Sequence, residues 1–248
     1  MPKLQWDANG ARKYETGLDR GVLYLKEDNG SYPLGEAWNG LTKVSENPDG
    51  ASITAKYANN NKYANLVAQE NFKATIEAFT YPDSWEEADG SREVVSGVSV
   101  GQQRRRTFGI TWRTLIGNDV KGTSYGYKIN IAYEGVASPS KRDSSTVNET
   151  PDMASLSWDI ETTPLQIDGL DKDGNAFLPA AKITIDSTKV NPAKLAAVEA
   201  ILYGSDGTGG GNTGTVARLP LPTELFQILG VTTNPTSSTT TTTTTSHA

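Results

Sequence analysis

At 248 residues the chain is long enough to bury a sizeable core, as one large all-β domain or two small ones. A formal net charge of -6 works against a general grip on nucleic acid, which needs a basic field. The absence of cysteine excludes disulfides, thiolate catalysis and zinc–thiolate sites, and no apolar run approaches the roughly 20 residues of a membrane helix.

The first thirty residues mix aromatics with charge and read as an arm, with turns at Gly17 and Gly21 leading into a short strand, Val22–Leu25. Met1–Asp7 carries no apolar signal core, so the expectation is a chain made in a cytoplasm and soluble until it assembles. Ser31–Leu41 is punctuated by Pro33, Gly35 and Gly40 and reads as a loop. Thr42–Glu46 and Ser52–Tyr57 read as strands around the turn Asn47-Pro48-Asp49-Gly50. In Asn71–Tyr81, helix propensity competes with period-two alternation. Phe72, Ala74, Ile76 and Ala78 alternate with Lys73, Thr75 and Glu77, which favours a strand. Asp83–Arg92 reads as an acidic loop, and Val94–Val100 leads into the centre of the chain.

That centre, Gly101–Thr163, carries the strongest pattern. Phe108, Ile110 and Trp112 fall on one side of an extended chain; Thr107, Thr111 and Arg113 fall on the other. After the polar loop Gly117–Ser124, Tyr125, Tyr127, Ile129, Ile131 and Tyr133 alternate with Lys128, Asn130 and Ala132. A third run sets Ala154, Leu156, Trp158 and Ile160 against Ser155, Ser157, Asp159 and Glu161. Each run predicts a strand with one buried face, so a long hairpin and a third strand form the core. Between the hairpin and the third run, Gly135–Pro151 is a long polar connection.

Further on, Asp171–Asn175 is a turn ahead of a strand at Lys182–Ile185. Pro192–Tyr203 is the one convincing helix: Asn191 caps it, Pro192 suits its first position and Gly204 ends it. Residues 206–214 are a glycine-rich insertion. Ala217–Pro222 is extended, Glu224–Leu229 reads as one short turn, and residues 231–248 make a Thr-rich tail that cannot supply a core.

No catalytic constellation stands out. The single histidine, His247, lies in the terminal Ser-His-Ala, away from any formed pocket. Asp159 and Glu161 are two apart on one strand face, a spacing open to a glycosidase pair, but a polar sheet face accounts for them better. Asp171-Lys172-Asp173-Gly174-Asn175 lacks the glycine and glutamate spacing of a calcium loop. Gly209–Gly214 formally fits G-x-G-x-x-G but follows a helix, not a strand. No metal or cofactor is expected. Arg104-Arg105-Arg106 is the only basic run, open to pairing with Glu86, Glu87 or Asp89 of another copy. Trp38 and Trp85 fall in predicted loops, where tryptophan often anchors an interface or platforms a sugar.

Four blocks together resemble the major tail tube protein of long, non-contractile-tailed phages: Gly35–Leu41, Ala74–Asp83, Gly101–Asp119 and Ile185–Gly204, with Ala217–Pro222 also similar. The resemblance implies a mainly β, sandwich- or barrel-like tail tube fold over residues 1–230, with extended arms and one short flanking helix, Pro192–Tyr203. It implies a non-enzymatic virion subunit, made in a bacterial host cytoplasm, that closes into hexameric rings. The rings stack into a tube through which double-stranded DNA passes without tight binding. A tape-measure protein in the lumen, and tail terminator and distal tail proteins at the tube ends, are the implied partners. On this footing Glu77, Asp159, Glu161 and Lys128 are candidates to face the lumen. Asp19, Arg20, Trp38, Trp85, Glu86, Arg104, Arg105, Arg106, Asn118 and Asp119 are candidates for subunit or ring contact. The alternative from another class is a carbohydrate-binding β-sandwich on a virion surface, using Trp38 and Trp85.

Overall fold

The computed structural model describes residues 3–139, 142, 144, 146, 153–207 and 214–231. The Thr-rich tail, most of the glycine-rich insertion and most of the 135–151 connection lie outside the described residues. The chain is mainly β. Its strands, in order, are β1 (Lys13–Leu25), β2 (Gly35–Ala37), β3 (Leu41–Glu46), β4 (Asp49–Gly50), β5 (Ile53–Ala58), β6 (Asn61–Val67), β7 (Glu70–Asn71) and β8 (Lys73–Ala78). Helix α1 (Trp85–Asp89) follows, then β9 (Arg92–Val95), β10 (Val98–Val100), β11 (Phe108–Asn118), β12 (Gly122–Ala137), β13 (Leu156–Thr162) and β14 (Lys182–Asp186). Helices α2 (Pro192–Tyr203) and α3 (Pro222–Leu229) come last.

The main sheet is antiparallel, in the order β2-β1-β11-β12-β13-β8-β3, with β14 also pairing β12. One path closes on itself. β2 and β3 are consecutive in sequence, so the bend at Trp38–Gly40 joins the two ends of the order. Trp38 N–H donates to Gly21 C=O at 2.8 Å, which extends the β1–β2 ladder by one rung and brings β3 back against β1. The approach is close at Gly21, where a Cβ would come within 2.6 Å of Leu41 Cδ2 and displace that side chain. The barrel so formed is filled with side chains. Trp38, Trp85, Trp112, Trp158, Phe108, Ile76 and Ile160 are all buried in it.

A second core lies on the opposite face of β1, β11 and β12. Tyr24, Ile129, Ile131, Tyr133 and Ile185 pack there against Leu195, Val198 and Leu202 of α2 and Leu225 of α3. The Asn191 side chain accepts from Ala193 N–H at 2.9 Å, as its capping role predicts. The central hairpin is therefore buried on both faces over its barrel half. Thr111 is wholly buried and Ala132 nearly so, where alternation alone gives them to solvent.

Four expectations are corrected. Three helices, not one, occur among the described residues. Pro222 opens α3 at its first turn and Gly230 closes it in the left-handed region, extending the expected single turn to eight residues. The acidic loop holds α1, which buries Trp85. β1 runs thirteen residues from Lys13, since two register shifts absorb Gly17 and Arg20 without ending it. Trp38 and Trp85 are not loop anchors. Their rings meet at 4.6 Å, with Trp158 5.4–5.8 Å away, and Trp38 Nε1 donates to Thr80 C=O at 2.9 Å. The apolar barrel interior draws them in, so neither offers a face to a sugar or a neighbour.

Replacing Trp85 by Ala leaves a cavity among three aromatic rings, those of Trp38, Phe108 and Trp158. It should cost about 3–5 kcal/mol, read from denaturant unfolding. A loss under about 1 kcal/mol would match a surface anchor instead.

Candidate functional site

The hairpin β11–β12 is longer than the barrel it helps to close. β12 gives its far edge to two different strands: Gly135–Ala137 pair with β13, and Lys128–Ala132 pair with β14. Beyond the fork, a four-stranded sheet remains in the order β1-β11-β12-β14. It uses Lys13–Asp19 of β1 and Arg113–Asn118 of β11. Among the described residues, no strand pairs with the outer edge of Lys13–Asp19 or of β14.

The backbone direction at each edge follows from the neighbouring bonds. Tyr133 N–H donates to Ala181 C=O, and Ser187 N–H donates to Tyr127 C=O. Residues 181, 183, 185 and 187 thus face β12, and Lys182, Thr184 and Asp186 turn their backbone groups outward. Asp119 N–H donates to Arg12 C=O. By the same alternation, Lys13 and Glu15 turn theirs outward.

The two faces of this open sheet differ. One is polar. Lys128 pairs with Glu15 across β11. Thr184 Oγ1 donates to Asn130 Oδ1 at 3.0 Å, and Asn130 Nδ2 donates to Thr114 Oγ1 at 3.5 Å, making a ladder across three strands. Lys182 pairs with Glu46 at 2.5 Å. At its lower end the face hollows into a cleft of about 490 Å³ that includes Lys13, Glu15, Lys128, Asp186 and Lys189. Burial pushes the Asp186 carboxyl up, but hydrogen bonds from Thr188 and Lys189 outweigh it and hold the group below the usual range.

The other face carries α2. Arg113 holds Asp19 with two bonds, at 2.7 and 2.6 Å, and its guanidinium lies 4.8 Å over the Tyr127 ring. Tyr127 in turn donates to Glu199 of α2 at 2.9 Å, and Tyr24 donates to Leu202 C=O at 2.7 Å. Arg20 sits at a positive φ of 49° in the register break and stacks 5.5 Å over Tyr203. Burial raises the Tyr203 hydroxyl to about 12.

The residues singled out for function fall on several surfaces. Glu77, Asp159 and Glu161 share the outer face of β3, β8 and β13, where Lys43 meets Glu77 at 2.9 Å and Lys73 meets Glu161 at 2.9 Å. Thr75 donates to Asp159 at 2.7 Å. Lys128 belongs to the open sheet instead, so these four do not line one surface. Arg105 and Arg106, candidates for contacts between copies, meet acids of their own chain. Arg105 donates to Ala137 C=O at 2.8 Å and faces Asp89, while Arg106 meets Glu87 at 3.0 Å. The strand start lies over α1, so the acids are met locally. Arg104 is exposed, and Glu86 accepts from Ser99. Asn118 is buried and organises its loop by accepting from Lys121 N–H at 2.6 Å. Asp119 accepts from Gly10 N–H at 3.0 Å and ties down the arm. β14 was legible as a strand, but its pairing with β12 carried no local signal.

Asp19 sits below the ordinary carboxylate value of 3.8, first because of the Arg113 hydrogen bonds. A depressed folded value means that the pair stabilises above the unfolded value, and that this is lost as pH falls through the folded one. Asp19→Asn should cost about 1 kcal/mol at neutral pH. The gap from wild type should close as pH drops below 3.8. Melting curves across acid pH check this; a gap independent of pH would remove the ion pair as its cause.

No protein-family model matches the chain, and no curated protein matches it.

Proposed function

We propose that this chain is a structural subunit that polymerises through its open sheet, as a tail tube protein of a long-tailed phage. One observation carries the reading. The four-stranded sheet β1-β11-β12-β14 ends in two unpaired edges, one face covered by helices and the other polar. Its strands alternate in direction. When copies are set side by side, β14 of one meets β1 of the next in the antiparallel sense, and the alternation continues without a break. The two edges differ in sequence, so the contact is heterologous, and such contacts close into a ring when the rotation closes. Pairing also relieves the liability of exposed edges. The polar face then becomes the wall of a wet bore. Its mixed charges, Lys13, Glu15, Lys128 and Asp186, form no basic field, which suits passage of DNA without tight binding.

Thr184→Pro tests the reading. It removes an outward N–H while leaving the β12-facing bonds of Ile183 and Ile185 in place. Circular dichroism should stay native while rings and tubes disappear from electron micrographs. Glu15→Pro should do the same from the other edge. Unchanged assembly in both variants, or a wild-type chain that stays monomeric when concentrated, would overturn the proposal.

A further inference from the structure

Two apolar elements project from opposite ends of the β1–β11 ladder. β11 has eleven residues, so those ends are roughly 35 Å apart. At the Leu25–Phe108 end stands the ribbon β9–β10, rooted by Gln103 N–H on Gly90 C=O and Arg106 N–H on Glu87 C=O. Its four valines, Val94, Val95, Val98 and Val100, are all exposed. A two-stranded ribbon is marginal in water unless something covers it. At the Lys13–Asn118 end, the arm is pinned by Gly10 N–H on Asp119. It holds out Leu4 and Trp6, 74% and 77% exposed.

We propose that the valine ribbon of one copy receives the Leu4–Trp6 arm of a second copy, stacked end on end. This rests on the tube reading and supplies its axial contact. A second copy is the occupant because it alone brings the opposite end to each exposed end, so both apolar surfaces are covered at once. Charge agrees. Segments 26–29 and 83–106 at the ribbon end carry seven acids and five bases. Segments 3–14 and 118–122 at the arm end carry four bases and two acids. The ends attract each other, and each repels its own kind. An unlike pair of surfaces at opposite ends repeats without closing, which builds a filament along the ladder axis.

The cysteine-free chain allows a clean test. Ser96→Cys in the ribbon turn and Gln5→Cys in the arm are made separately, leaving every apolar residue intact. Under mild oxidation, the mixture of the two should give a disulfide-linked dimer that neither gives alone. Adding Trp6→Ala to Gln5→Cys should abolish it. A dimer from Ser96→Cys alone would mean like ends meet, and would overturn the proposal. So would an absent cross-link in a mixture whose rings are visible by microscopy, which leaves the tube reading standing. A cross-link in a preparation without rings would keep the axial contact and remove the ring.

Discussion

The structure depends on one division of labour along β12. Along its near edge the sixteen-residue β12 keeps one partner, β11, but its far edge is shared. Here β13 takes the last residues and β14 takes the middle ones. Above the fork the strands curl until β3 packs against β1 at Gly21. Below it they stay open. The same hairpin thus supplies a self-sufficient core and an unfinished sheet.

Rigidity of the open half comes from the helix face. The Asp19–Arg113 pair, its stacking on Tyr127, and the Tyr127–Glu199 bond tie β1, β11, β12 and α2 into one plate. Lys194 reaches Leu229 C=O at 2.7 Å and joins α2 to the end of α3, where a cation suits the helix dipole. A plate held on one side by charged stacking and on the other by the Thr184–Asn130–Thr114 ladder has little freedom to change register. Heterologous pairing needs that stiffness, because a slip of one residue would turn every side chain to the wrong face.

Much of the fold was legible in the chain. The alternations at Phe108–Trp112 and Tyr125–Tyr133 marked the hairpin, and the Asn191-Pro192 to Gly204 punctuation bounded α2. What local pattern did not carry was the second burial of the hairpin. Trp112 and Ile129 face opposite sides, each alternation predicted one wet face, and only the arrival of α2 and of β13 makes both dry. Trp38 and Trp85 misled for a related reason: Pro, Gly and acid neighbours describe the backbone at the surface, and the indole reaches inward regardless. The Arg105 and Arg106 contacts were chemically right and spatially local, since α1 was read as a loop. The open edges were invisible, because an unpaired edge is a property of topology and no residue pattern encodes β14 beside Lys128–Ala132.

Lateral and axial contacts draw on different parts of the chain. The edges Lys13–Asp19 and Lys182–Asp186 face sideways from the sheet, whereas the valine ribbon and the arm sit at the ends of its strands. The two pairs of surfaces meet only at Lys13–Tyr14, where the arm runs into the edge strand. The two proposed interfaces would therefore form in either order, and weakening one would leave the other intact. Backbone pairing at the edges fixes orientation through directed hydrogen bonds, while apolar contact at the ends is non-directional and tolerates small rotations. A wall built through the proposed contacts would be stiff around its circumference and compliant along its length, a combination suited to a long conduit that must bend without opening.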